Sequence, residues 1–456
     1  MLKLIFISVC TALSFAGMSQ KTLRLNVQNN ALTNELQTIK NDATISADSA
    51  WTILSSWNQY PLLEAVNRYY LFLYNDPVFG TVPLKIFIPE NYKNNVSSPA
   101  VMLLHGAVVL SSFKDAYKDT TADEDIFFDY FAKHNFIIIR PFADSYGPYA
   151  DGTINFDWVV NHFNGNSFTN KTNPTFSTLT AILSELKKVL NIDDNKVFAF
   201  GHSDGSDGVF GLEVYNPSPF AGFIAYNSML TNLRAYDIYI HNSINRPLYL
   251  VQSDLDDLRP IQQTRDIVKI LNSIKCPVFY KEYYGYKHFD KHLKIDLPYA
   301  DAWAKEIERN PFSSSLYWEL DDVTYNTCDW LKVLQIDTFA SNAKWHNELN
   351  TPNYNKMDGS YFGSYYMLNK SGAVRAIYQN NIFSLQTSRV TDIELLISPI
   401  MVNLQNPITI IVNGKKVFND KVVADKDVLL NHFSSSFDRN ALWIASIKLK
   451  VKAPNL

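Results

Sequence analysis

Ser203 lies at the centre of a short motif whose residue types suit nucleophilic catalysis. The motif, Gly201–Gly205, reads GHSDG and follows the apolar run 196–200. In a G-x-S-x-G elbow the serine occupies a strained strand-to-helix turn, and glycine at both flanking positions avoids collisions with the neighbouring strand and helix. The same letters also occur in loops that merely join a strand to a helix. As a nucleophile, Ser203 requires a base to take its proton and a carboxylate to orient that base.

The acid is expected after the second predicted strand that follows Ser203, in the segment Gln252–Pro260. Three aspartates compete there. We favour Asp256, because Asp256–Pro260 resembles the D-x-x-V-P run that follows this strand in many serine hydrolases, and Asp254 is the alternative. Asp257 is expected to cap the helix that begins at about residue 260.

The base is expected after the next predicted strand, where His288 ends the segment Gly285–His288. His292 is the competing histidine, and either one could instead be an ordinary surface residue. His202 adjoins the serine in sequence, and on an elbow its side chain should point away from the serine. We therefore expect His202 to form part of the wall of the substrate site.

Two backbone N–H groups are required to stabilise the negative oxygen of a tetrahedral intermediate. Asp204, directly after the nucleophile, is expected to supply one. Ala107 is expected to supply the other, because His105 to Ala107 follow a predicted strand and Gly106 permits a tight turn. The Asp204 carboxylate is unfavourable beside that oxygen, so we expect it to bind a substrate group or to cap the helix.

The elements around these residues alternate between strand and helix. Residues 99–104 and 136–139 are short, continuously apolar runs, typical of strands buried on both faces, and 123–134 reads as a crossover helix. Later strands are expected at 221–226, 247–251 and 277–284. This alternation predicts an α/β fold with a parallel sheet.

An aromatic loop, residues 143–173, interrupts this pattern and leaves the carboxyl edge of the predicted sheet. Ligands bind at that edge in open α/β sheets. We expect Tyr146, Tyr149 and Trp158 to contact the substrate. The alternative is an insertion that packs on itself.

The two ends of the chain have different patterns. Residues 1–19 combine a basic start, an apolar run and small residues, as in a signal peptide cleaved near Gln20. A short membrane anchor is the alternative, and we expect an exported protein with no membrane span.

Residues 32–74, including the spacing from Leu62 to Leu73, are expected to be mostly helical and to pack on the domain that follows. After residue 311 strands dominate, with an Asn413–Gly414 hairpin turn.

Composition excludes some classes of function. The 456 residues carry a formal net charge of −4, so nothing favours nucleic-acid binding. Cys276 and Cys328 lack metal-ligand spacing, and the sequence leaves open whether they form a disulfide or remain free.

Residues 80–310 resemble secreted α/β-hydrolase esterases of the polyhydroxybutyrate-depolymerase and feruloyl-esterase type and, more distantly, prolyl-oligopeptidase-like peptidases. The resemblance rests on His105–Gly106, Gly201–Gly205, Asp256–Pro260 and Gly285–His288. It implies hydrolysis through an acyl-enzyme without a cofactor, acting on a small-molecule or polysaccharide-linked ester.

The chain departs from the family pattern at three positions, where glycine is usual: Ala107, Ser206 and Ser253. A serine peptidase remains an alternative, as does a non-catalytic carbohydrate- or surface-binding protein on the same scaffold. We divide the chain into a signal peptide (1–19), an N-terminal helical segment (20–78), an α/β-hydrolase catalytic domain (79–310) and an antiparallel β-sandwich (311–456).

Overall fold

The computed structural model describes residues 23–107, 126–143, 156, 163–164, 167–168, 174–229, 239–347, 349, 353–362 and 370–451. The strands described before residue 310 are β1 (Leu23–Arg24), β2 (Arg68–Asp76), β3 (Gly80–Ile88), β4 (Ser98–Leu104), β5 (Ile137–Arg140), β6 (Phe163–Asn164), β7 (Ser167–Phe168), β8 (Ile192–His202), β9 (Gly222–Tyr226), β10 (Leu248–Ser253) and β11 (Val278–Tyr283). The helices described in this part are α1 (Asn30–Asn41), α2 (Ala47–Ser55), α3 (Ile126–Lys133), α4 (Thr175–Lys187), α5 (Asp204–Tyr215), α6 (Ile261–Ser273) and α7 (His292–Glu306).

Nine of the described strands form one sheet in the order β1-β2-β3-β5-β4-β8-β9-β10-β11. Strand β3 is antiparallel to both of its neighbours, whereas every pair from β5 to β11 is parallel. This order, with the elbow serine directly after β8, is that of an α/β-hydrolase fold, as the sequence predicts. The carboxyl ends of β8, β10 and β11 therefore meet at one edge of the sheet.

Helices cover both faces of this sheet, which explains why its inner strands are continuously apolar. One core cluster packs α4, α5 and α6 against one face, with Phe176 and Phe210 fully buried. A second cluster packs α3 and α7 against the other face through Phe131 and Leu297. The side chains at the carboxyl ends of β8, β10 and β11 therefore project from a sheet that is packed on both faces.

The N-terminal segment differs from expectation. Helices α1 and α2 are present, but the predicted helical character of Leu62 to Leu73 is wrong: no helix follows α2 in this described segment, and from residue 68 onward β2 pairs with β3 in the large sheet. A tight turn favours this hairpin, because the Asp76 carboxylate accepts the N–H groups of Val78 and Phe79. Helices α1 and α2 also share a core cluster with the helix at 426–436 near the carboxyl end, a contact that sequence spacing did not indicate.

The part of the chain after residue 311 is rich in strands. Those described are β12 (Ser315–Leu320), β13 (Thr327–Cys328), β14 (Leu331–Ile336), β15 (Asn353–Tyr354), β16 (Tyr361–Phe362), β17 (Gly372–Gln379), β18 (Ile382–Ser388), β19 (Val390–Ile397), β20 (Ile408–Val412), β21 (Lys415–Asp420) and β22 (Ala445–Lys450), with one further helix, α8 (Lys426–Ser436). Sheets β12-β17-β18-β20-β21 and β13-β14-β19-β22 share a single core that contains Trp318 and Trp330. We call residues 311–451 the C-terminal unit.

Two features of this unit depart from the prediction of a purely antiparallel arrangement. Strands β18 and β20 run parallel, and α8 lies outside the sheets. The hairpin between β20 and β21 is confirmed, and positive φ angles of 49° at Asn413 and 78° at Gly414 fit the turn that the pair favours.

Buried ion pairs join the C-terminal unit to the α/β-hydrolase domain. Arg246 contacts Asp329 at 2.5 Å, and Arg309 contacts Asp438 at 2.7 Å, with all four side chains buried. Removing one partner of such a pair leaves an uncompensated buried charge, so these contacts fix how the two parts pack. Cys276 and Cys328 are free and buried, which decides the question of the disulfide. Among the described helices, none has the length and apolar character required to cross a membrane.

Candidate active site

The nucleophile elbow has the strained geometry that its sequence predicts. Ser203 has φ 58° and ψ −127°, a conformation that a non-glycine residue adopts only when its surroundings impose it. Its N–H donates to the Tyr226 carbonyl at 3.0 Å, and its own carbonyl accepts the Ser206 N–H at 2.9 Å and the Ser206 hydroxyl at 2.5 Å. Ser206, a departure from the family pattern, thus helps to close the turn.

The two elbow glycines are required by close backbone approach. A Cβ at Gly201 would overlap the Gly205 carbonyl, and a Cβ at Gly205 would overlap the Leu104 carbonyl on β4. Any larger residue would push α5 away from the sheet. These collisions are the ones expected of a nucleophile elbow rather than of a simple connecting loop.

A continuous hydrogen-bond relay joins the serine, the base and the acid. The distance from His288 Nε2 to Ser203 Oγ is 2.8 Å, and the distance from His288 Nδ1 to Asp256 Oδ2 is also 2.8 Å. The Asp256 carboxylate can only accept, so Nδ1 carries the proton and Nε2 is left to accept from the serine hydroxyl. The structure therefore brings together the three residues that the sequence selects as a triad.

Asp256 is held as a carboxylate by several donors. Burial raises its pKa, but hydrogen bonds from His288, Asn227 and the Arg259 backbone outweigh burial and leave the pKa below its usual value. Oδ2 accepts the Asn227 amide at 2.8 Å, while Oδ1 accepts the N–H groups of Leu258 at 2.9 Å and Arg259 at 2.8 Å. A charged acid in this position orients His288 and stabilises its protonated form.

The competing aspartates have other contacts. Asp254 accepts the Gly285 N–H at 2.6 Å and so ties the acid loop to the loop that carries the base. Asp257 does not cap a helix, contrary to expectation: α6 begins at Ile261 after Pro260, without a side-chain cap. The carboxylate of Asp257 is instead 3.3 Å from Lys356 of the C-terminal unit.

His292, the competing base, lies behind the triad. Its Nε2 donates to Asn227 Oδ1 at 2.9 Å, and the Asn227 amide donates in turn to Asp256 and to Ser253 Oγ. Burial lowers the pKa of His292, which favours the neutral form with Nε2 protonated. Ser253 donates onward to the Lys287 carbonyl at 3.1 Å, so this second departure from the family pattern also links the acid and base loops.

His202 has a different role from the expected one. The structure places its buried ring beside the base, where Nε2 donates to the His288 carbonyl at 2.9 Å. The two imidazole rings have centroids 4.8 Å apart. Burial and the neighbouring His288 lower the pKa of His202 to about 3, so it remains a neutral donor. His202 thus positions the base rather than forming an exposed wall of the substrate site.

Arg259 explains the unusual aspartate after the nucleophile. Its guanidinium contacts the Asp204 carboxylate at 2.5 Å and the Asp207 carboxylate at 2.6 Å, and all three residues are buried. Burial works against the charge on Arg259, but the two aspartates raise its pKa above the usual value. The Asp204 carboxylate is therefore paired with a cation beneath the elbow, and neither of the roles proposed from sequence is needed to explain it.

The loop after β4 lies against the elbow, as an oxyanion loop must. A Cβ added to Gly106 would lie 3.4 Å from Ser203 Cβ, and Ala107 is exposed at the surface of the site. His105 accepts the Ala143 N–H at Nε2 and donates from Nδ1 to the Gly106 carbonyl at 2.7 Å. Because the C=O and N–H of a trans peptide point in opposite directions, this bond also fixes the direction of the Ala107 N–H.

The three aromatic residues that the sequence predicts to contact the substrate, Tyr146, Tyr149 and Trp158, lie outside the described residues. Within the described part of the chain, no group of three or more His, Cys, Asp or Glu residues is arranged to hold a metal ion.

Sequence reasoning missed Asn227, Arg259 and the positioning role of His202. Asn227 directly follows a buried strand and has φ 49°, and a polar residue at the carboxyl end of a sheet strand is a usable signal. Arg259 lies 55 residues from Asp204 in sequence, and no local pattern indicates their pairing.

Comparisons with solved structures find similarity to esterases and serine hydrolases. A thermostable esterase is 19% identical with a TM-score of 0.41, and the match covers 54% of this chain and 64% of the esterase. An S-formylglutathione hydrolase from Agrobacterium tumefaciens is 12% identical with a TM-score of 0.42, covering 55% and 99% of the two chains. FphF, a fluorophosphonate-binding serine hydrolase of Staphylococcus aureus, is 14% identical with a TM-score of 0.36, covering 53% and 99%. No protein-family model and no curated protein matches the chain.

Proposed function

We propose that the protein is a serine hydrolase that cleaves an ester through an acyl-enzyme. The observation that carries this proposal is the relay from Ser203 through His288 to Asp256, with both distances at 2.8 Å. A histidine that bridges a serine hydroxyl and a buried carboxylate through its two ring nitrogens is arranged for proton transfer. The strained elbow supports the same reading, because backbone strain of this kind is retained where it serves a site.

In the first half of the reaction, Ser203 Oγ attacks the carbonyl carbon while His288 Nε2 takes its proton. The N–H groups of Asp204 and Ala107 are the proposed donors to the resulting oxyanion. His288 then returns the proton to the leaving alcohol, and the acyl group remains on Ser203. In the second half, water attacks the acyl-enzyme by the same route, which releases the acid and restores the serine.

For the substrate, we propose a small-molecule ester with a carbohydrate-linked or aromatic component. The aromatic residues of segment 143–173 support this proposal, since aromatic side chains commonly line ligand sites. The Asp204 carboxylate is paired with Arg259, so in the peptidase alternative another acidic residue would have to anchor a peptide amine.

Steady-state hydrolysis of p-nitrophenyl acetate tests the proposal. Ser203→Ala is expected to lower kcat by at least about 10⁴-fold, because the residues of a triad act as a unit. Ser273→Ala is the matched control, since Ser273 is an exposed serine on α6 whose hydroxyl bonds only its own helix in the described contacts. Full activity in Ser203→Ala would refute the proposal. Hydrolysis of a matched anilide at a rate equal to the ester would favour a peptidase.

We also propose that the protein is exported and processed near Gln20. The basic, apolar and small-residue pattern of residues 1–19 supports this. N-terminal sequencing of the mature protein tests it, and an intact residue 1 on the native protein would contradict it.

A further inference from the structure

A small hairpin of the C-terminal unit reaches the loop that carries the triad acid. This hairpin, residues 353–362, pairs β15 with β16 through Tyr354 and Tyr361. Its turn is closed by the Asn355 N–H on the Ser360 carbonyl at 2.8 Å and the Gly359 N–H on the Asn355 carbonyl at 2.9 Å. It is therefore a structured element with its own hydrogen bonds.

Three residues of the hairpin, Tyr354, Lys356 and Tyr361, make hydrogen bonds to the α/β-hydrolase domain. The ammonium of Lys356 donates to the Asp257 carbonyl at 2.6 Å. The backbone N–H of Tyr354 donates to Oε1 of the buried Gln263 at 2.7 Å. The hydroxyl of Tyr361 donates to the Asp266 carboxylate at 2.6 Å. Two of these residues contact α6, and the third contacts the turn that precedes it.

The turn held by Lys356 serves the active site directly. Asp257 follows the triad acid, and its own side chain is 85% exposed. The next two N–H groups, of Leu258 and Arg259, hold Oδ1 of Asp256, and the Arg259 side chain neutralises the aspartates beneath the elbow. A shift of this turn would therefore displace both the Asp256 carboxylate and the Arg259 guanidinium.

We propose that the 353–362 hairpin is a positioning element of the active site, through which this part of the C-terminal unit supports catalysis. The proposal rests on the proposed function, since it requires Asp256 to be the triad acid. The hairpin touches no reacting atom. It acts by fixing the acid loop against α6, and small displacements of catalytic groups lower turnover substantially.

Two variants of the full-length protein test this inference. Lys356→Ala removes the contact to the acid loop. Replacement of residues 355–360 with Asn-Gly keeps the pairing of Tyr354 with Tyr361 through a two-residue turn and deletes Lys356 with the hairpin tip. Lys416→Ala is the matched control, because Lys416 is an exposed lysine on β21. Melting temperature is measured for each variant to confirm folding.

We expect both hairpin variants to lower kcat for p-nitrophenyl acetate by about threefold to tenfold, with KM unchanged, because the acid loop is less well held. Lys356→Arg should restore kcat, since a guanidinium also donates to the Asp257 carbonyl. An unchanged kcat in both variants would overturn the inference. A higher KM for bulky esters at constant kcat would overturn it as well, because it would indicate a substrate-binding edge. If the unaltered protein lacks Ser203-dependent activity, the proposed function itself fails, so the two failures are distinguishable.

Discussion

Arg259 is a position at which a single substitution should disturb stability and catalysis together. Arg259→Met keeps an unbranched apolar stem of similar reach but removes the guanidinium that contacts Asp204 and Asp207. The guanidinium then no longer neutralises the two buried carboxylates at the start of α5. The dipole of α5 still stabilises negative charge at the N-terminus of this helix, but such a dipole contributes only about 0.3–1 kcal/mol per charge.

The expected loss of stability follows from burial. The three side chains are no more than 7% exposed, so solvent screens the pair weakly. Removing one partner from a buried pair typically lowers the free energy of unfolding by about 3–5 kcal/mol, and this arginine serves two partners. We therefore expect Arg259→Met to lower the free energy of unfolding by at least about 3 kcal/mol. The Asp204 charge, which Arg259 would no longer neutralise, lies next to a proposed oxyanion donor and should lower kcat in addition, by about tenfold or more, since each 1.36 kcal/mol of barrier is tenfold in rate.

Urea denaturation at neutral pH measures the first effect, and p-nitrophenyl acetate turnover at a temperature where the variant is folded measures the second. The triple variant Arg259→Met with Asp204→Asn and Asp207→Asn is the decisive control, because it removes the uncompensated charges and should recover most of the lost stability. If Arg259→Met alone is as stable as the unaltered protein, or if the triple variant is no better than the single one, the electrostatic reasoning is refuted.

Three further predictions follow from the site. Asn227→Asp places a second carboxylate at the position that now donates to the triad acid at 2.8 Å, so kcat should fall by at least about 100-fold at neutral pH, which steady-state assays would detect. Burial lowers the pKa of His202 to about 3 and of His105 to about 4, so both stay neutral in the folded protein but protonate on unfolding below about pH 6.5. The free energy of unfolding should therefore fall as the pH drops from about 6.5 to 4, by at most about 1.4 kcal/mol per pH unit for each histidine, and His202→Gln should reduce that slope in pH-dependent urea melts. Cys276 and Cys328 are free and buried, so a thiol reagent should modify both only after denaturation, and a reductant should leave the melting temperature unchanged.

The triad could be predicted from sequence because its signals are local. Ser203 is marked by a five-residue motif, while Asp256 and His288 each follow a recognisable apolar strand within a few residues. In a parallel sheet the carboxyl ends of neighbouring strands meet at one edge, so local signals were sufficient to place these residues together. The parallel strands from β5 to β11 were predictable for the same reason.

The supporting contacts could not be predicted, because they join residues without a shared local pattern. The pairing of Arg259 with Asp204 spans 55 residues, and the contact of Lys356 with Asp257 spans 99. The segment around Leu73 shows a different kind of error, because here a local pattern is present but predicts the wrong element. Its apolar spacing fits a helix, but the tight turn after it and the pairing of β2 with β3 decide in favour of a strand. Tertiary pairing overrides weak helical periodicity.

The most direct test of the central claim is labelling by a fluorophosphonate probe followed by peptide mass mapping. Such probes react with a serine whose hydroxyl is activated by a neighbouring base. We expect one stoichiometric adduct, located on Ser203, in the unaltered protein and in Ser273→Ala. We expect no adduct in Ser203→Ala and labelling slowed by at least about 100-fold in His288→Ala. An unaltered, folded protein that fails to react, or that carries its adduct on another serine, would contradict the account.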